Sequence, residues 1–243
     1  MIIHLTSRSN EKIKHVLALR NKKTRKEEGL FVSEGKKAME MAKASGLLVE
    51  VYTTKPINLP SDIRQYIVNK DLLDKISLSI NPEGIVFISK MPEIPVAKHD
   101  KYLYLENIQD PGNLGTLIRT ALGLGYDAVF LSDNSCDPFN DKAIAASKGS
   151  LFNMPVIYRD ISEFLGNRDI IVSTLSDDSV DIDDYYPTKP FILVLGNEAH
   201  GVKKETLDIA NSKVKIPMSG IDSLNVAQAG AILMYTLGKR FNK

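Results

Sequence analysis

The chain has 243 residues, of which 43% are hydrophobic and 25% are charged, and its formal net charge is +1. These values are typical of a soluble globular protein with one large or two small domains. No apolar run approaches the roughly 18 residues that span a bilayer, the N-terminus lacks the pattern of a signal peptide, and the single cysteine, Cys136, excludes an internal disulfide and cannot build a zinc site alone. We therefore expect a cytoplasmic protein without a membrane segment.

The charge is distributed unevenly along the chain. Residues 1–98 contain 17 Lys and Arg against 11 Asp and Glu, whereas the remainder contains 14 against 19. Most of the early excess comes from Arg8, Lys12, Lys14, Arg20, Lys22, Lys23, Arg25 and Lys26. A basic segment can neutralise nucleic-acid phosphates, but it can equally be the solvated face of a helix. Charge alone leaves both interpretations open.

The first ninety residues predict an alternation of helices and strands. A helix begins after Ser9 or Asn10, because apolar residues then recur at helical spacing. The next predicted elements are a strand at 29–35, a helix at 35–45 ended by Gly46, a strand at 47–54, a helix at 71–77 and a strand at 84–90. This order indicates a small α/β domain over residues 1–95. The proline-containing stretch 91–100 is predicted to be a linker.

After the linker the alternation restarts and predicts a second, larger α/β domain over residues 96–243. Its predicted strands are 101–107, 127–133, 169–175, 190–197 and 212–218, and its predicted helices are 112–125, 140–150 and 225–240. Continuous apolar runs such as "FILVLG" are typical of strands that are buried on both faces of a parallel sheet. The acidic stretch 176–186 is predicted to be an exposed loop.

Three segments follow predicted strands and combine glycine or proline with polar residues, namely 107–119, 195–201 and 216–225. Ligands of open parallel sheets bind at the carboxyl ends of the strands, so these segments are the candidate site. Asp110-Pro111-Gly112 is predicted to form a tight turn with Asn113 at or near a helix start. Each polar residue also has a purely structural interpretation: a helix cap for Asn113, Ser223 and Asn225, a surface ion pair for Arg119, and an exposed turn acid for Glu198.

Two other patterns are set aside. Gly123, Gly125 and Ala128 match the dinucleotide-binding pattern G-x-G-x-x-A, but here the pattern closes a helix and opens a strand instead of the reverse. His200 has no second metal ligand at a suitable spacing. We therefore predict neither a nicotinamide cofactor nor a metal.

The three segments together resemble the SpoU family of RNA ribose methyltransferases, within the SPOUT superfamily. The resemblance rests on "NIQDPGNLGTLIRTA", "LVLGNEAHGV" and "IPMSGIDSLNVAQAGAI", in that order, and covers about residues 102–240. In front of it, "FVSEGKKAMEMA" and "LLDKISLSINPEGIVFI" resemble the small substrate-binding domain that is often fused to this family.

The resemblance implies a C-terminal parallel-sheet domain with a trefoil knot, S-adenosyl-L-methionine as cofactor, and a homodimer. Carried over by motif, the cofactor-binding residues are Gly196, Ile216 and Leu224, and the catalytic residues are Arg119, Asn113, Glu198, Ser223 and Asn225. The implied reaction is methylation of a ribose 2′-hydroxyl in structured RNA. The two-domain arrangement favours ribosomal RNA, and the basic front domain would bind RNA away from the reaction.

The chemistry leaves the role of Arg119 open between a base and a phosphate-binding group. Arginine normally stays protonated, which favours phosphate binding and polarisation of the hydroxyl, with Asn113 holding the nucleotide and Glu198 orienting Arg119 or the ribose. The alternatives are a transfer RNA ribose methyltransferase, an antibiotic-resistance enzyme with the same chemistry, and a non-catalytic RNA-binding or ribosome-assembly protein. Retention of all five polar motif residues disfavours the last.

Overall fold

The computed structural model describes residues 2–79, 82–98, 100–221 and 223–241. Four residues inside predicted motifs or the linker, Ile80, Asn81, His99 and Asp222, lie outside the described residues. The chain divides into two compact units: the first comprises Met1–Glu93 and Asp137–Asn153, and the second comprises Ile94–Cys136 and Met154–Lys243. Compactness does not establish independent folding, so the domain division at residue 95 stays a prediction.

Twelve strands and eight α-helices lie within the described residues. The strands are β1 Ile2–Leu5, β2 Leu30–Glu34, β3 Leu48–Thr53, β4 Arg64–Val68, β5 Ile85–Lys90, β6 Lys101–Leu105, β7 Ala128–Leu131, β8 Val156–Tyr158, β9 Asp169–Ser173, β10 Val180–Asp181, β11 Phe191–Leu195 and β12 Ser212–Lys215. The helices are α1 Glu11–Ala18, α2 Lys22–Glu28, α3 Lys36–Ala44, α4 Lys70–Ile76, α5 Pro111–Gly123, α6 Asp141–Ser147, α7 Lys204–Asp208 and α8 Val226–Phe241.

The first unit is built on a five-stranded mixed sheet in the order β1-β4-β3-β5-β2. Strands β1, β4 and β3 run parallel, and β5 pairs antiparallel with both β3 and β2. Asn10 caps α1 through a hydrogen bond from the Lys12 amide, as the sequence predicts. Phe31, Tyr52 and Tyr66 are buried and belong to the core of this unit.

Part of the early basic segment is also structural. Arg25 is 3% exposed, donates to the carbonyl oxygens of Leu19 and Arg20, and forms an ion pair of 2.6 Å with Asp137. The segment that contains Asp137 and α6 therefore belongs to the first unit by its packing, although it is distant in sequence. A charge count cannot distinguish such an arginine from one on a solvated face.

The second unit contains a seven-stranded sheet, entirely parallel, in the order β10-β12-β9-β11-β6-β7-β8. The central strand β11 is buried at all five positions, which confirms the prediction from its apolar run. Helix α8 packs against α5 and β11. At Gly230 of α8, an added Cβ atom would lie 2.4 Å from Leu117 Cδ2 and 2.7 Å from Leu195 Cδ1, so glycine permits this close packing.

The predicted α/β class and parallel sheet are confirmed, whereas several local predictions are incomplete or wrong. The sequence analysis omitted β1, α2, β4, β8 and α7, which are short or lack a long apolar period. The acidic stretch 176–186 is not only a loop, because it holds β10 and a 3₁₀ helix whose Ile182 is buried. Gly123 and Gly125 do lie at the end of α5 and in the following turn. Strand order does not determine chain threading, so the trefoil knot stays a prediction.

Among the helices of the described chain, none is long and apolar enough to cross a membrane.

Candidate active site at the carboxyl edge of the parallel sheet

Helix α5 begins at Pro111, two residues before Asn113, and Asp110 caps it. The Asn113 amide donates to Asp110 Oδ1 at 2.7 Å, and Pro111 occupies the first helical position. The predicted tight turn at 110–112 is therefore wrong, because Pro111 and Gly112 already belong to the helix. The capping interpretation of Asn113 is also wrong, since Asp110 takes that role and leaves the Asn113 side chain available.

The Asn113 side chain joins the three candidate segments. Its Nδ2 donates to Glu198 Oε1 at 3.0 Å, and its Oδ1 accepts from Asn225 Nδ2 at 3.1 Å. Asn225 Oδ1 also accepts from the Ala227 amide at 2.8 Å in the first turn of α8. Asn225 is thus a helix cap and a partner of Asn113 at once. Both atoms of the Asn113 amide are used, which fixes the plane of that side chain between Glu198 and Asn225.

Arg119 and Ser223 lie outside this group of hydrogen bonds. Arg119 is exposed on α5, and within the described residues its side chain forms no hydrogen bond and no ion pair. The predicted orientation of Arg119 by Glu198 is therefore absent from the structure, where Glu198 accepts from Asn113 instead. Ser223 is exposed and likewise has no hydrogen bond to any described residue. The guanidinium of Arg119 remains available for an external anion.

A cavity of about 370 Å³ lies beside Asn113 at the ends of β9, β11 and β12, and we name it the edge cavity. Gly196, Glu198, Ile216, Ser223 and Leu224 line it, so all three predicted cofactor residues and two of the predicted catalytic residues meet in one cavity. Its wall is apolar at Leu195, Ile216, Leu224 and Val226 and polar at Ser173, Thr174 and Ser223. This size and this mixed lining suit a small amphipathic ligand.

The loop that carries Glu198 is folded back tightly on itself. Asn197 and Gly201 exchange two backbone hydrogen bonds of 3.0 and 2.9 Å. A Cβ atom at Gly196 would lie 2.3 Å from the Gly201 carbonyl carbon and 2.4 Å from the Val202 nitrogen. Backbone atoms cannot rotate away as a flexible side chain can, so only glycine fits at position 196.

Asparagine side chains hold this loop to the segment after β6. Asn197 Nδ2 donates to the Asn107 carbonyl oxygen at 2.9 Å, and Asn197 Oδ1 accepts from the amides of Ala199 and His200. Asn107 has a positive φ of 56°, a conformation that asparagine tolerates better than most residues. Its amide donates to Ser132 Oγ at 2.8 Å. Asn107, Ser132 and Asn197 were not among the predicted site residues, although each lies within three residues of the end of an apolar strand.

Glu106 is a second anchor that the sequence analysis missed. It is 3% exposed, and its carboxylate accepts from the Lys203 amide and from Thr206 Oγ1, both at 2.6 Å. The neighbouring Tyr104 donates to the Arg159 carbonyl oxygen. Burial, reinforced by the Glu106 carboxylate, raises the pKa of the Tyr104 phenol, so this group stays a protonated donor at neutral pH. The two hydrogen bonds of Glu106 fix the start of α7 against the end of β6.

Comparison with known proteins assigns the chain to a family. Residues 100–235 match the model of the SpoU rRNA Methylase family, which is more than half of the chain. The chain belongs to the SpoU rRNA methylase family. Residues 10–86 match the MRM3-like substrate binding domain. Both predicted resemblances are thereby confirmed.

Individual relatives and solved structures agree with this assignment. The 23S rRNA (guanosine(2553)-2′-O)-methyltransferase RlmP of Bacillus subtilis is 33% identical over 96% of this chain and 98% of its own length. The 23S rRNA (uridine(2479)-2′-O)-methyltransferase of Streptomyces viridochromogenes is 28% identical over 63% of this chain and 59% of its own. The AdoMet-bound rRNA methyltransferase of Sinorhizobium meliloti superposes with a TM-score of 0.85 at 28% identity, covering 98% of both chains.

Proposed function

We propose that this SpoU-family chain methylates a ribose 2′-hydroxyl of ribosomal RNA, with S-adenosyl-L-methionine as the methyl donor. The observation that carries the proposal is the convergence of Asn113, Glu198 and Asn225 beside the edge cavity. The names of the relatives in Bacillus subtilis and Sinorhizobium meliloti support the reaction and the cofactor. A ribosomal RNA substrate is in turn consistent with action in the cytoplasm.

The edge cavity suits S-adenosylmethionine by its chemistry. Leu195, Ile216 and Leu224 would hold the apolar part of the cofactor, and Ser173 and Thr174 would hydrogen-bond to its polar groups. At Gly196 the backbone lies against the backbone of Gly201 and Val202, with no side chain between them. Backbone groups therefore form this part of the cavity wall. When bound, the cofactor supplies an electrophilic methyl group on a sulfonium, for which no metal is required.

The remaining tasks fall to the side chains of the site. A ribose hydroxyl is a poor nucleophile: as its oxygen bonds to the methyl carbon, the bond from that carbon to sulfur breaks and the thioether leaves, while the hydroxyl proton passes to solvent water. The oxygen and the methyl carbon must also be aligned. Asn113 is held rigidly by Glu198 and Asn225 and positions the nucleotide. Glu198 Oε2 has no partner within the described residues, and it accepts a hydrogen bond from the sugar. Ser223 is a further hydroxyl at the rim of the edge cavity that holds substrate or loop.

Arg119 binds a backbone phosphate of the substrate and stabilises the charge that develops on the hydroxyl oxygen. Its guanidinium is exposed and, in the described chain, unpaired, and its planar set of donors matches a phosphate in bidentate geometry. A positioned donor of this kind contributes about a hundredfold or more to rate when its only role is in the transition state.

The test is transfer of labelled methyl groups from S-adenosylmethionine to ribosomal RNA from cells that lack this protein, followed by nucleoside analysis. Wild type is expected to label a ribose, and both Arg119→Ala and Arg119→Lys are expected to lose about a hundredfold in rate while retaining cofactor affinity. Arg159→Ala is the matched control, because Arg159 is an exposed arginine of the same unit that pairs with Glu163. Label on a base, or cofactor binding without label on any RNA, would contradict the proposal.

We also propose a homodimer that uses α8. Ile232 and Tyr235 are 42% and 55% exposed and lie three residues apart on this helix, so they share one face. Exposed apolar side chains grouped on a helix are typical of interaction surfaces. Sedimentation of wild type and of Tyr235→Glu tests this: a dimer that the glutamate converts to a monomer is expected, and a monomeric wild type would refute it.

A further inference from the structure

A second cavity of about 650 Å³ shares the Glu198 loop with the edge cavity. Its polar and charged lining residues are Asn107, Gln109, Asn134, Asn197, Glu198, His200 and Lys203, and we name it the amide cavity because four of these seven carry carboxamides. Asn197 and Glu198 line both cavities. The amide cavity therefore begins where the proposed reaction takes place.

The four carboxamides of the amide cavity differ in the hydrogen-bonding groups that they leave available. Both the nitrogen and the oxygen of the Asn197 carboxamide already form hydrogen bonds within the protein. Asn197 therefore lines the cavity without contributing to ligand selection. Gln109 Nε2 donates to the carbonyl oxygens of Asn134 and Asn107 at 2.7 and 3.3 Å. These contacts fix the side chain, and they leave Gln109 Oε1 as an acceptor without a partner in the described chain.

Asn134 contributes a complete amide. Its side chain is exposed, and neither Oδ1 nor Nδ2 has a hydrogen-bond partner among the described residues. Gln109 and Asn134 thus present two acceptors and one NH₂ donor group to the amide cavity, with Gln109 held directly to the Asn134 backbone. In the fourth carboxamide, Asn107 Oδ1 accepts from Ser132 Oγ at 3.1 Å, which leaves the NH₂ group of Asn107 as a further donor. Gln109 and Asn134 are neutral and together both donate and accept, which matches the edge of a nucleobase better than it matches a phosphate. The charged side chains of the cavity lining are Glu198 and Lys203.

We propose that the amide cavity binds the base of the nucleotide to be methylated, and that Gln109 and Asn134 select that base by hydrogen bonds to its edge. This inference rests on the proposed function. A nucleotide whose ribose lies at Asn113 and Glu198 places its base on one side of the sugar, and the amide cavity is the space that shares Glu198 with the reaction site. Enzymes that act on single nucleotides read an unstacked base by this type of contact.

The test uses short transcripts that contain the nucleotide mapped in wild-type reactions, each with a different base at that one position. Wild type is expected to prefer one base by at least about tenfold in kcat/KM, as one good pair of base contacts provides. Asn134→Ala and Gln109→Ala are each expected to lower kcat/KM for the preferred base about tenfold and to reduce the preference itself. The affinity for S-adenosylmethionine, measured by calorimetry without RNA, is expected to stay within about twofold of wild type.

Asn134→Ala is the decisive variant, because the Asn134 side chain forms no hydrogen bond within the described residues that the substitution could remove. Gln109→Ala also removes the two hydrogen bonds from Gln109 to the carbonyl oxygens of Asn107 and Asn134. Asn167→Ala is the matched control, since Asn167 is an exposed asparagine of the same unit that lines neither the edge cavity nor the amide cavity. It is expected to behave as wild type in both assays.

The outcomes separate this inference from the proposed function. A wild-type enzyme that methylates the ribose equally well with every base overturns base selection and leaves the reaction intact. An Asn134→Ala enzyme that keeps the full base preference, or that loses cofactor affinity together with activity, also overturns it. A wild-type enzyme that methylates no RNA contradicts the proposed function itself, and the inference falls with it.

Discussion

Replacement of Gly196 by alanine is the sharpest test of how the edge cavity is built. The added methyl group would lie 2.3 to 2.5 Å from three backbone atoms of Gly201 and Val202. Since carbon atoms pack at about 3.5 to 4.0 Å, the two chain segments must separate by more than 1 Å. The Asn197–Gly201 backbone hydrogen bonds lie across the same contact and would be broken or stretched.

The cost follows from these two effects. Two hydrogen bonds contribute about 1 kcal/mol each, and overpacking a tight contact costs about 1–3 kcal/mol, so we expect a loss of about 3–5 kcal/mol in the free energy of unfolding. For a chain of this length that lowers Tm by about 6–20 °C. Because the displaced loop lines the edge cavity, affinity for S-adenosylmethionine is expected to fall at least about tenfold.

Differential scanning calorimetry and isothermal titration calorimetry measure the two effects separately. Gly123→Ala is the matched control, because an added Cβ atom at Gly123 meets no atom within 4 Å, and it should leave Tm and cofactor affinity unchanged. A Gly196→Ala protein that keeps both wild-type values would refute the claim that backbone contact at this position shapes the cavity.

Three further substitutions test contacts away from the cavity. Gly230→Ala places a methyl group 2.4 Å from Leu117 Cδ2 and should cost about 1–3 kcal/mol in urea unfolding. Arg25→Ala leaves the Asp137 carboxylate without its ion-pair partner and should cost about 3–5 kcal/mol, also in urea unfolding. Glu106→Gln turns an acceptor of two hydrogen bonds into an amide that must present its NH₂ group to a donor, and we expect a loss of about 1–3 kcal/mol.

Each of these has a control with the same chemical change at a less constrained position. At Gly238 of α8 an added Cβ atom lies no closer than 3.8 Å to any atom, so Gly238→Ala should not destabilise. The side chains of Arg64 and Glu205 are exposed and form no hydrogen bond or ion pair in the described part of the chain, so Arg64→Ala and Glu205→Gln should be near neutral. A variant that matches its control within about 0.5 kcal/mol shows that the corresponding contact does not stabilise the fold.

The sequence predicted the parts of the fold that depend on a continuous local pattern. The run Phe191–Leu195 is apolar at every position, which is typical of a strand buried on both faces, and this local pattern predicted its place inside a parallel sheet. Strands such as Arg64–Val68 mix polar and apolar residues, and their strand conformation depends on pairing with neighbours that the sequence does not identify. The buried Arg25 is the same kind of case, because its partner Asp137 lies 112 residues away.

At the candidate site, the order of the three motifs indicated which segments to compare, but it did not indicate which side chains touch. Asn113, Glu198 and Asn225 were selected together, and the structure places them in one chain of hydrogen bonds. Arg119 was selected with them and lies apart, exposed on the next turns of α5. A sequence motif includes residues that contact the substrate as well as residues that contact each other. Contacts within the protein alone identify only the second kind.

The structural and functional interpretations of a polar residue at a helix start are therefore not exclusive alternatives. Asp110 caps α5, and because it does so, the Asn113 side chain is released from capping and can join Glu198 to Asn225. Asn225 does both tasks with one carboxamide, since its oxygen caps α8 and its nitrogen donates to Asn113. Helix caps are rigid because they fix a side chain to a backbone amide. A site built from capping residues is therefore rigid as well. Rigid side chains are needed to align a weak nucleophile with a methyl group.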